Sequence, residues 1–114
     1  MARIIPSENG VLKKAYYTLR DQLMIGRAKD NNIQLKDELV SSKHALISQE
    51  PDEHGLMHFY LKDLDSTHGC FLNKKRISCH QLKHNDVIRI GSQQFVFFDH
   101  KEYIINESTE KASR

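Results

Sequence analysis

A chain of 114 residues is most simply one domain, long enough to bury a sizeable core without disulfide or metal support. Hydrophobic residues make up 39% and charged residues 28%, a balance that excludes a disordered composition. The net charge of +2 is too small to argue for nucleic acid or a membrane surface as partner, and no apolar run approaches the ~18 residues of a membrane span.

Residues 1–10 are polar, with Pro6, Ser7, Asn9 and Gly10, and are expected to form a flexible arm. Val11-Leu12 and Tyr16 to Leu19 have the β-branched and aromatic character of a strand region. Arg20-Asp21-Gln22 reads as a turn, and Leu23-Met24-Ile25 as a short buried strand leading into Gly26-Arg27. Asp30-Asn31-Asn32 is a turn cluster, because these side chains mimic backbone hydrogen bonds. Ile33 to Leu35 is a brief strand. Ala45 starts another, which stops in the Pro51 to Gly55 loop.

Residues 56–64 alternate, with Met57, Phe59 and Leu61 on one side and His58, Tyr60 and Lys62 on the other. Phe71-Leu72-Asn73 is a short strand before a Lys74-Lys75 turn, and Arg76 to Ser78 continues it. Val87 to Ile90 and Phe95 to Phe98 form a hairpin across Gly91-Ser92. No amphipathic helix of three turns occurs. Short strands at roughly even spacing predict an all-β sandwich over residues 11–105, with residues 106–114 as a polar tail.

Three polar clusters punctuate the middle of the chain: Gly26-Arg27, Ser41-Ser42-Lys43-His44, and Asp65-Ser66-Thr67-His68-Gly69. At one end of a sandwich these turns can meet, presenting an arginine, hydroxyls and backbone amides together. That combination binds a phosphate.

The order Gly-Arg, Ser-x-x-His, Asp-x-Ser-Thr-x-Gly and Phe-x-Asn resembles a forkhead-associated (FHA) domain, with Leu82 to Gly91 similar to the family's closing strand pair. The resemblance covers about residues 19–98. It implies a two-sheet antiparallel β-sandwich of about 11 short strands that binds phosphothreonine peptides through loops at one end. A phosphothreonine carries about −1.5 to −2 charge and three acceptor oxygens, so its binder needs a fixed cation and neutral donors.

On this resemblance Arg27 supplies the cation through its planar fork. Ser41 donates its hydroxyl, and its amide is a further candidate donor. Ser42 and Lys43 reach the phosphate or the peptide backbone, Lys43 being equally well explained as solvated. Thr67 approaches the phosphorylated residue. His44, Gly26, Gly69 and Asn73 support the binding loops, the glycines by allowing backbone that a Cβ would block. Taken without the resemblance, Arg27 is a surface arginine paired with Asp30 or Asp37, and Ser41 and Thr67 are ordinary turn residues.

His68 departs from the family, which usually has asparagine there to hold the peptide backbone. An asparagine amide carries donor and acceptor at one tip, whereas neutral histidine carries them on separate nitrogens. A protonated His68 would instead add charge beside the phosphate. Cys70 stands where threonine is common, and fills space.

Other constellations carry less. His54 and His58 have the spacing of a metal pair on a helix but flank a loop and a strand, so no metal site is expected. Cys70 with His44 and Asp63 could be drawn as nucleophile, base and orienter, but nothing around Cys70 has a nucleophile's sequence. Lys74, Lys75 and Arg76 read as a solvated hairpin tip rather than a DNA contact.

The sequence thus points to a non-catalytic, cofactor-free module that binds a phosphothreonine-containing protein, with no direct nucleic-acid or membrane partner. The alternative is a dimerisation or scaffold module with the same fold and a weakened phosphate site. Thr18, Thr67 and Thr109 are the only threonines, and a phosphorylated Thr109 in one copy could engage a second copy as a homodimer. With Cys70 and Cys79 as the only cysteines and no signal-peptide core, a reducing compartment is expected. By family analogy that is the nucleus, as the N-terminal module of a DNA-damage signalling protein, and otherwise the cytoplasm.

Overall fold

Period-two alternation becomes twelve strands in the computed structural model, which describes residues 2–99. They are β1 (Ala2–Glu8), β2 (Val11–Leu12), β3 (Tyr17–Thr18), β4 (Gln22–Gly26), β5 (Ile33–Gln34) and β6 (Ala45–Pro51). The second half holds β7 (Met57–Asp63), β8 (Cys70–Leu72), β9 (Lys75–Ile77), β10 (Cys79–Gln81), β11 (Val87–Ile90) and β12 (Gln93–Asp99). One sheet has seven strands, in the order β2-β1-β12-β11-β8-β9 with β3 also on β1. The other has five, in the order β10-β7-β6-β4-β5.

The two sheets close on one core. In β11, Ile88 and Ile90 are buried while Val87 and Arg89 face outward, and β12 sends Phe95 and Phe97 inward. From the other sheet come Leu23 and Ile25 of β4, Ile47 of β6 and Leu61 of β7. The alternation expected over residues 56–64 holds where Leu61 is buried and Phe59 packs on the core, and frays at Met57, which is exposed.

Three expectations need correction. The flexible arm over residues 1–10 is instead strand β1, which pairs with β12 from Ala2↔Asp99 to Ser7↔Gln94. Its apolar Ala2 and Ile4 are buried, and that burial outweighs the polar composition of the residues that follow. The sandwich is not wholly antiparallel, because β4 and β5 pair in parallel through Ile25↔Ile33 and Gly26↔Gln34. The turn expected at Lys74-Lys75 sits one residue earlier. Asn73 and Lys74 take positive φ values of 49° and 73°, as a tight hairpin turn requires, and Lys75 joins β9. The tail over residues 106–114, with Thr109, lies outside the described residues, as does the expected domain edge at residue 105.

Register gathers the three clusters. Ala45 pairs with both Ile25 and Asp63, and Cys70 pairs with Ile90. The end of β4, the start of β6, the end of β7 and the start of β8 therefore share one end of the sandwich. This apical end also carries the Gly91–Ser92 turn between β11 and β12.

Candidate phosphate-binding site

Backbone hydrogen bonds tie the three apical loops directly together. The Arg27 N–H donates to the Ser41 carbonyl (2.9 Å) and the Ala28 N–H to the Ser42 carbonyl (3.2 Å). His44 N–H donates to the Ile25 carbonyl, and Leu64 N–H to the His44 carbonyl. The Thr67 N–H donates to Ser41 Oγ (3.2 Å), so the second and third clusters meet at that hydroxyl.

Gly26 makes the first of these junctions possible. A Cβ there would lie 2.2 Å from the Ser42 carbonyl oxygen, a backbone atom that cannot move aside. Gly26→Ala is therefore expected to lower unfolding free energy by about 3 kcal/mol, the upper end of overpacking costs, measurable by urea denaturation. The reason is close approach, since Gly26 is not among the positive-φ glycines.

His44 holds the second junction from beneath. Its ring is fully buried, with Nδ1 accepting from the Ser41 N–H (3.0 Å) and Nε2 lying 2.8 Å from the Gly69 carbonyl oxygen. An acceptor at Nδ1 places the proton of the neutral ring on Nε2, which donates to Gly69. The ring thus links the Ser41 loop to the Gly69 loop. Gly69, at φ 86°, occupies the left-handed region that favours glycine. Asn73 does not share this role: it sits at the opposite end of β8. There its side chain bonds the Asp86 carboxylate and the Val87 N–H, because its left-handed turn points it at β11.

The predicted binding residues all lie in the loops that this frame joins. Arg27 is exposed and forms no ion pair among the described residues. Both acids proposed as its partners are otherwise engaged. Asp30 pairs with Lys43 at 2.8 Å, and that lysine holds the Asp30 carboxyl below its usual range. Asp37 accepts from the side chain and backbone N–H of Ser92 and from the Leu39 N–H, which together bring its pKa down to about 2. Arg27, whose backbone joins the Ser41 loop, is left without an ion pair among the described residues.

Ser41 is half-buried, and its hydroxyl accepts from the Thr67 N–H, which leaves its own proton available to donate. Its amide does not face a ligand as expected, because His44 takes it. The amides of Ser42 and Lys43 have no partner among the described residues and extend the donor set. Lys43 itself is spent on Asp30 rather than free. Thr67 and His68 are both exposed at the apex.

Two bracing residues escape a sequence reading. Asn31 is buried, and its Nδ2 donates to the carbonyls of Ala28 (2.8 Å) and Ser42 (2.8 Å), stapling the Arg27 turn to the Ser42 turn. Ser66 is buried too, its Oγ accepting from the Gly69 N–H (2.9 Å) and donating to Asp63. An Asp-Asn-Asn run and a serine before Thr67 read as plain turn residues, and only burial separates them from their neighbours.

His44, Asp63 and Cys70 do come within 4.8 Å of one another through their ligand atoms. Chemistry does not follow. Burial foremost, then the Asp63 carboxylate, push the Cys70 thiol strongly up, and Cys70 Sγ donates to Asp63 (3.3 Å). A metal on His44 Nε2 would move the ring proton to Nδ1, against the Ser41 N–H, and open the apical loops. The cluster is packing.

Comparison with known proteins places this geometry in a family. The model described as "FHA domain" matches residues 23–91. The chain is 35% identical over 78 residues to the FHA domain-containing protein FhaB of Mycobacterium tuberculosis, covering 68% of this chain and 47% of that protein. It spans about half the length of that curated relative. A structure from work on phosphothreonine-dependent FHA domain interactions superposes with a TM-score of 0.73 at 28% identity, covering 87% of this chain and 96% of that one. Mycobacterium tuberculosis EmbR, solved in complex with a low-affinity phosphopeptide, superposes with a TM-score of 0.71 at 31% identity, covering 85% of this chain and 24% of that one.

Proposed function

The chain belongs to the FHA domain family, and from that premise we propose that its apical loops bind phosphothreonine in a partner protein, making it a phosphorylation-dependent interaction module. The observation that carries this reading is Arg27, exposed and in no ion pair among the described residues, in a turn whose backbone joins the loop of the Ser41 hydroxyl and the Ser42 and Lys43 amides. A fixed fork and several neutral donors match a dianionic, three-oxygen ligand. On this reading Thr67 touches the phosphorylated residue and His68 meets the adjoining peptide backbone.

FHA domains are interaction modules, and the buried, protonated Cys70 offers no nucleophile to set against that. The nuclear DNA-damage setting expected by analogy gains no support from the mycobacterial relative, and the proposal stops at phosphorylation-dependent association between proteins.

The test is binding to an oriented phosphothreonine peptide library, beside unphosphorylated and phosphoserine libraries, with the Arg27→Ala variant as control. Retention of phosphothreonine peptides by the parent and not by the variant is the expected result. No retention by the parent, together with a stable dimer in solution, would favour the scaffold reading that the His68 departure suggests.

A further inference from the structure

Arg76 was read from sequence as part of a solvated hairpin tip, and the structure gives it a different place. It lies opposite Phe71 in the β8–β9 pair, and its side chain turns up towards the apex and over Gly69. A Cβ built on Gly69 would meet Arg76 Nε at 2.5 Å and Cζ at 2.9 Å, so the guanidinium end lies against the backbone of the Thr67-His68-Gly69 loop. Gly69 has no side chain to keep it away.

This arginine is exposed and in no ion pair or hydrogen bond among the described residues. The nearest contrast is Arg89 on the other side of Phe71, which is committed. Its guanidinium lies 4.1 Å over the Phe71 ring and donates to the Gly91 carbonyl (3.0 Å). Lys43 is likewise committed, to Asp30. Among the described residues Arg27, in the turn joined to the Ser41 loop, and Arg76, lying over Gly69, are thus both without an ion pair, and Thr67 and His68 belong to the loop that ends at Gly69.

We propose that Arg76 is a specificity-determining residue, selecting peptides that carry an acidic residue or a second phosphate on the flank of the phosphothreonine that passes over Gly69. The proposal rests on the phosphothreonine reading above. A peptide anchored at Arg27 and Ser41 and gripped beside Thr67 has one flank that must cross the Thr67-His68-Gly69 loop. There an unpaired guanidinium, already laid along the backbone, faces it. A carboxylate or phosphate on that flank gains a charge-assisted pair, and an apolar or basic residue does not.

The experiment scans a single glutamate through each position flanking phosphothreonine in an otherwise neutral peptide, against the parent, Arg76→Gln and Arg27→Ala. Arg76→Gln removes the charge and keeps the stem over Gly69. In the parent, glutamate at positions of one flank is expected to tighten binding about tenfold, the scale of one hydrogen bond to a charged group. Arg76→Gln should abolish that gain while binding the neutral phosphothreonine peptide as the parent does. An undiminished glutamate preference in Arg76→Gln, or no preference in the parent, would overturn the role of Arg76 while phosphothreonine binding stood. Loss of all phosphopeptide binding in the parent would overturn the underlying reading instead.

Discussion

Replacing Arg27 by alanine is expected to weaken phosphothreonine-peptide binding by at least about 100-fold and to leave the unfolding midpoint unchanged. A bidentate arginine–phosphate contact makes two charge-assisted hydrogen bonds, each worth about 1.5–3 kcal/mol, and about 1.4 kcal/mol is tenfold in affinity. The fold does not need the side chain. It is exposed and in no ion pair among the described residues, while the backbone N–H that joins the Ser41 loop survives the substitution. Arg27→Lys should fall between the two, keeping the charge and losing the fork. Titration calorimetry on parent and variants, with thermal unfolding alongside, measures both quantities. An Arg27→Ala variant that retained its affinity would move the phosphate elsewhere.

His44→Ala acts through the frame rather than the ligand. Removing a fully buried ring leaves a cavity, and it also orphans the Ser41 N–H and the Gly69 carbonyl that the ring satisfies. Cavity and orphaned groups together should cost about 4 kcal/mol, a large fraction of the stability of a domain this size. Phosphopeptide affinity should fall as well, even where the variant is fully folded at low temperature, because Ser41 and Gly69 lose their common brace. Urea unfolding and low-temperature calorimetry separate the two effects. A loss under about 1 kcal/mol would mean that the ring merely fills space.

Strands with a clean inward stripe, such as Val87 to Ile90, were legible because alternation alone assigns their faces. Strand β1 was not. Its two buried residues are followed by Pro6, Ser7 and Asn9, and what makes it a strand is β12, more than ninety positions later in sequence. The two-residue β4–β5 parallel pair is equally a matter of tertiary contact. At the site, the loops of Arg27, Ser41 and Thr67 are joined by backbone bonds that the residue types alone do not specify. What the sequence withheld was pairing. That Lys43 takes Asp30 and Ser92 takes Asp37, which frees Arg27, depends on which loops touch. The same holds for Asn31, one polar residue among three, whose burial makes it a staple.

The most direct single measurement is an amide chemical-shift titration of the labelled protein with one peptide in matched phosphothreonine and threonine forms. Binding at the apex predicts saturable shifts at Arg27, Ser41 to Lys43 and Thr67 to Gly69 with the phosphorylated peptide only, and β10 and the Pro51 to Met57 loop unmoved. Equal shifts with both peptides, or shifts centred away from these loops, would contradict it.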